Sequence, residues 1–137
     1  MAVNTEKIKL NKFGLRKTAN IRLTFGLLEK LDELDVTLLE LQDTEDLEYI
    51  DVRKNALKSV HLKTNFIQKV FDLSDEDIEN IKDKISPEQF GEAFEYVTLR
   101  MRGVTDANYE LLVKEAKQEQ EEVDELDPKE NTDESED

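Results

Sequence analysis

The 137-residue sequence predicts a mainly α fold: a small helical bundle of about five helices that could open on a short strand or hairpin and end in a disordered acidic tail. Three observations carry this. Apolar residues recur at helical spacing between Asn20 and Ala116, oxygen-bearing caps precede several of those stretches, and charge is divided into blocks.

Length allows one compact core, read over residues 1–116, with 117–137 left as the tail. The first thirty residues carry seven bases against Glu6 and Glu29, a net charge of +5. Residues 117–137 carry 11 acids and 2 bases, and Val123 and Leu126 are their only sizeable apolar side chains. Such a segment cannot bury enough surface to offset the entropy of ordering it, and Pro128 opposes helix continuation.

Lys7 to Leu10 alternates charged and apolar residues, and Phe13 and Leu15 resume the alternation, so 7–16 could form a strand or hairpin. Two strands alone are unstable, so this piece must lie on helices with its lysines projecting outward. The first helix is expected over Asn20 to Leu34 from Ile21, Phe25, Leu28 and Leu31, with Thr37 to Leu41 as a separate short stretch. A third helix is expected from a cap at Asp43 or Thr44. Leu47, Ile50, Leu57 and Val60 form its inward stripe, and Leu62, Phe66, Ile67, Val70 and Phe71 continue it past a bend near Asn65 into the centre of the core.

Ser74 opens another helix with acids in its first turn, and Ile78, Ile81 and Ile85 share a face. Ser86-Pro87-Glu88-Gln89 combines a cap, a proline suited to the first helical position and a Gln able to close a capping box. The helix that follows presents Phe90, Phe94, Val97 and Met101, with Ala93 and Tyr96 beside them, and should stop at Gly103. Thr105 caps a last helix with Tyr109, Leu112 and Ala116.

The chemistry of small-molecule catalysis is poorly represented. His61 is the one side chain with an ordinary proton affinity near neutral pH, and it stands alone between Val60 and Leu62 in a helical stretch, where a packed or exposed helical role is the default. Without Cys there is no thiolate metal site or thiol nucleophile. DLSDEDIENIKD lacks the central Gly of a calcium loop, and Gly14, Gly26, Gly91 and Gly103 are scattered instead of clustered as a phosphate cradle requires. No cofactor or metal is expected.

A net charge of −15 repels phosphates and anionic lipid, so neither nucleic acid nor membrane is an expected partner. No apolar run reaches the roughly 20 residues of a spanning helix, and no basic-then-apolar leader opens the sequence; cytoplasmic residence is the expectation. What remains is protein binding. The apolar side chains Phe66, Ile67, Phe71, Phe90, Phe94 and Met101 are the candidate contact residues, although such stripes are more often ordinary core.

The order KIKLNKFGLRKT, FGLLEKLDEL, SDEDIENI, SPEQFGEAFEYVTLRMRGVT and an acidic end resembles the small helical tail assembly chaperones of long-tailed phages and prophages of Gram-positive bacteria, over roughly Lys7 to Lys117. The resemblance implies a non-enzymatic protein of the host cytoplasm, absent from the mature virion. It would bind the tape measure protein, keep it soluble and help recruit tail tube protein. Dimeric or ring-like self-association is likewise a family-level expectation. The alternative reading is an acidic inhibitor or nucleic-acid mimic whose carboxylates occupy a basic cleft of a host or phage enzyme. Salt separates the two, because a mimic loses its partner steeply as ionic strength rises and an apolar contact does not.

Overall fold

The computed structural model describes residues 3–136, with the side chains of residues 3–123. Strand β1 (Thr5–Lys9) pairs antiparallel with β2 (Thr18–Arg22), followed by helices α1 (Phe25–Gln42), α2 (Tyr49–Val70), α3 (Asp75–Lys84), α4 (Pro87–Met101) and α5 (Asp106–Glu136). The fold class is the expected one: mainly helical, five helices, with a short N-terminal hairpin. The chain divides into two compact units, Met1–Gly103 and Val104–Asp137.

In the first unit the hairpin register sets Glu6 opposite Ile21 and Ile8 opposite Ala19, which puts Ile8, Ala19 and Ile21 on one buried face. Lys7, Lys9 and Arg22 occupy the other face and are exposed, as the alternation requires. The connection folds through a single 3-10 turn, Asn11–Phe13, that buries Phe13 and ends at Gly14 with φ +83°. A Cβ on Gly14 would stand 3.3 Å from Cβ of Lys84, so glycine is fixed there both by conformation and by space.

Several boundaries differ from the sequence expectation. The return strand is Thr18–Arg22, not the Phe13–Leu15 stretch, and the first helix therefore starts at Phe25, not Asn20. Ile21 satisfies a strand alternation as well as a helical spacing, and pairing with Glu6 decides between them. Thr24 caps α1, its Oγ1 accepting from the Leu27 N–H at 3.1 Å. The helix then runs unbroken to Gln42, absorbing Thr37 to Leu41.

Helix α2 begins at Tyr49 after Glu48, because Asp43 spends its side chain on the Glu45 N–H in a turn. It continues without interruption past Asn65. Its expected inward stripe is also wrong: Leu47, Ile50, Leu57 and Val60 are all exposed. Asn55 donates to the Leu41 carbonyl, so the face turned to α1 is the more polar one, with Val52, Asn55 and Ser59 half-buried. Helix α2 contributes Thr64 and Ile67 to the core, and Phe71 follows it, but the centre lies elsewhere.

That centre is α4, which packs on the 3-10 turn and on β1 and buries Ala93, Phe94, Tyr96, Val97, Arg100 and Met101. Its capping box forms as the sequence indicates: the Gln89 N–H donates to Ser86 Oγ at 3.1 Å and the Ser86 N–H donates to Gln89 Oε1 at 2.9 Å. Gly103, at φ +95°, follows its last turn. Helix α3 carries a similar box on Ser74 and Asp77 and buries Ile78 and Ile81.

In the second unit, Thr105 Oγ1 accepts from the Asn108 N–H at 3.2 Å and so starts α5 as expected. Leu111, Leu112 and Val123 are exposed along it. The side chains of the acidic tail expected over 117–137 lie for the most part outside those described; the backbone of α5 continues through it to Glu136.

Candidate partner-binding surface

The six side chains singled out from the sequence separate into two groups. Ile67, Phe71, Phe94 and Met101 are buried, while Phe66 and Phe90 are half-buried. Phe90 stacks toward Phe94 at a centroid distance of 6.4 Å and meets Phe13 at 5.7 Å, and Lys63 Nζ lies 5.4 Å from the Phe94 ring centre. Phe66 lies apart from this cluster, in an open cleft of about 450 Å³ with Arg22, Lys30 and Lys69 around Ile21, Leu27 and Val70. Phe90 lines a second cleft of about 290 Å³ between α2, α3 and α4, with Val60, Ile81 and Ile85 as apolar walls and Lys63 and Lys82 at its polar positions.

The larger exposed apolar surface is on α1 and the first half of α2. Helix α1 buries Leu31, Leu34 and Leu38 toward the body, and at 100° per residue Phe25, Val36 and Leu39 fall away from them, with the half-buried Leu28 at the border of that outer side. Phe25 is 84% exposed and Leu39 64%, which is far from the usual condition of large apolar side chains. An open groove of about 640 Å³ follows this side, lined by Phe25, Leu28, Val36 and Thr37 with Glu29, Asp32 and Glu33. On α2, Tyr49 is 77% exposed and Ile50 and Leu57, seven residues apart, share an outward face.

Sequence reasoning missed this surface because it read the stripes of α1 and of the first half of α2 as core and placed the contact residues between Phe66 and Met101 instead. A signal was available: α1 carries apolar residues at more helical positions than a single face can hold.

Electrostatic contacts hold the surroundings. Arg102, just after α4, donates to Asp32 at 2.9 Å and to Asp35, both on α1. Burial opposes its charge, but the two carboxylates outweigh that and raise the guanidinium's proton affinity. Lys17 donates to Asp77, and this bond, with the Ser74 N–H, holds the Asp77 carboxyl below the usual carboxylate range.

His61 is exposed on α2, away from any gathering of acids: among the described residues no group of three or more His, Cys, Asp or Glu side chains could hold a metal ion. No helix among the described residues is long and apolar enough to cross a membrane. The geometry provides surfaces that can hold a polypeptide.

Comparison with known proteins agrees with that chemistry. No curated protein and no solved structure matches the chain. A family model does, over residues 6–129, nearly the whole length and spanning the hairpin, α1 to α4 and most of α5. The family is described as phage tail assembly chaperone proteins, and the chain belongs to it.

Proposed function

We propose that this protein is a non-enzymatic holdase for the tape measure protein of a long-tailed phage or prophage of a Gram-positive bacterium, keeping that long apolar rod soluble and helping to recruit tail tube subunits. The observation that carries this reading is the apolar surface on α1 and α2, exposed on a unit that buries its core without it. Contiguous exposed apolar surface on a soluble chain marks a place where another molecule sits.

Phe66 and Phe90 extend the contact surface with their half-buried edges, and Ile67, Phe71, Phe94 and Met101 fix those positions from within. The net charge of −15 serves the same task, since loaded complexes of like charge repel one another. The protein acts in the host cytoplasm and departs before the virion is complete.

Co-expression of the full chain with the tape measure protein tests the reading. The client alone should pellet, and with the chain present the two should copurify from the soluble fraction and stay together at high salt. A client that pellets equally with and without the chain refutes it.

A further inference from the structure

We propose that the outer groove of α1 receives one amphipathic helix of a partner protein whose apolar anchors are flanked by lysine or arginine. This rests on the chaperone reading above and specifies the chemistry of what is held.

Two independent features point to it. The first is that α1 is apolar on opposite sides. Helices of that kind are normally surrounded by protein, yet among the described residues only the side bearing Leu31, Leu34 and Leu38 is buried. Positions 25, 28, 36 and 39, with Asp32 midway, are separated by three, four or eight residues, the spacing of a seam into which a second helix lays its own anchors. From Phe25 to Leu39 the seam is about 21 Å long, so the partner contributes about four turns of helix.

The second feature is charge. Residues 25–42 hold five acids and one base, Lys30. Glu29 and Glu33, which line the groove, form no ion pair among the described residues, and Asp32 stays well exposed while meeting Arg102. A second copy of this chain seated on the same seam would set carboxylates against carboxylates. An acidic segment would meet the same repulsion. Basic flanks remain, and they would meet Glu29 and Glu33 along one border of the apolar floor, while Asp32 and Asp35 already meet Arg102. The apolar anchors supply most of the affinity, and the charges choose the partner and its register.

The probes are two synthetic helical peptides of 18 residues with identical leucine anchors, one flanked by Lys and the other by Glu, titrated into the full chain and followed by fluorescence anisotropy. The Lys-flanked peptide should bind at least about tenfold more tightly at low salt, and its advantage should shrink as salt rises. Val36→Asp should weaken it by at least about tenfold while leaving the thermal melt of the chain unchanged. Equal binding of the two peptides, binding of neither, or indifference to Val36→Asp overturns the assignment. So does a concentration-dependent dimer in sedimentation that Val36→Asp dissolves. If the chain still solubilises the tape measure protein while the peptides fail to discriminate, the groove assignment falls and the chaperone reading stands.

Discussion

Replacing Arg100 with methionine tests whether α4 holds the N-terminal hairpin in place. In the antiparallel register the Leu10 N–H donates to the Lys17 carbonyl and the Leu23 N–H to the Asn4 carbonyl, so the even-numbered residues of this strand exchange hydrogen bonds with β2. Lys7 lies in a pair of the other kind, and its carbonyl points out from the free edge of β1. Arg100, its side chain only 6% exposed, reaches that edge: Nη2 donates to the Lys7 carbonyl at 2.9 Å and to Glu6 Oε2 at 3.2 Å.

Methionine retains the apolar stem and removes both bonds. A charge-assisted hydrogen bond of this kind, here partly buried, contributes about 1.5–3 kcal/mol. The ion pair adds under about 1 kcal/mol, because Glu6 is partly solvated and can rehydrate when its partner leaves. Arg100→Met should therefore cost about 2–3 kcal/mol, read as a lower urea midpoint at unchanged slope by far-ultraviolet circular dichroism. Glu6→Gln keeps a hydrogen-bond acceptor and should cost under about 1 kcal/mol. Combining the two substitutions should recover a small coupling term, since removing the arginine already removes the ion pair. An Arg100→Met chain within about 0.5 kcal/mol of the parent would refute the claim that this contact anchors the hairpin.

Two further outcomes follow from local geometry. Asp72 ends α2 with φ 53°, and the Leu73 N–H closes back on the Gln68 carbonyl at 2.9 Å, the arrangement that favours glycine after a helix; Asp72→Gly should raise stability by about 0.5–1 kcal/mol in the same urea assay. Asp77, held below the usual carboxylate range chiefly by Lys17, contributes stability that is present above the ordinary carboxylate value and is lost as pH falls through its depressed folded value. Lys17→Met removes the largest cause, so the difference in urea midpoint between parent and variant should narrow from pH 7 to pH 3, and a constant difference would contradict the assignment.

Where the sequence was legible, local chemistry decided the outcome. Ser86, Pro87 and Gln89 fix the start of α4 whatever surrounds it, because the cap is made by the backbone of its own first turn. Gly103 and Thr105 mark their boundaries for the same reason. Where two readings were open, pairing at long range decided. Ile21 suits a strand or a helix, and only Glu6, fifteen residues earlier, selects the strand. The face α2 turns inward was misread because apolar content was taken to indicate the core, whereas Asn55 and its half-buried neighbours make the contact with α1. The proposed contact surface was illegible by the same mechanism: an apolar residue facing solvent and one facing the core are identical in the sequence, and only the packing of α1 in the folded unit, against α2 among others, shows which of its sides is already occupied.

With the proposed contact surface, this arrangement separates stability from binding. The core of the first unit gathers on α4, the hairpin and α3, with α1 and α2 each contributing one side. The opposite sides of α1 and α2 carry no folding duty, so exposing them costs the chain solubility, not structure. Charge limits that loss, and the acids placed along α1 also restrict what can settle there. Substitutions on the outer side should then change partner capture without moving the unfolding midpoint, as Val36→Asp is expected to do. Arg100→Met should do the reverse, lowering the midpoint while leaving capture intact wherever the chain stays folded. If every substitution that weakens capture also destabilises the fold, the exposed sides belong to the core after all, and the surface is not a binding site.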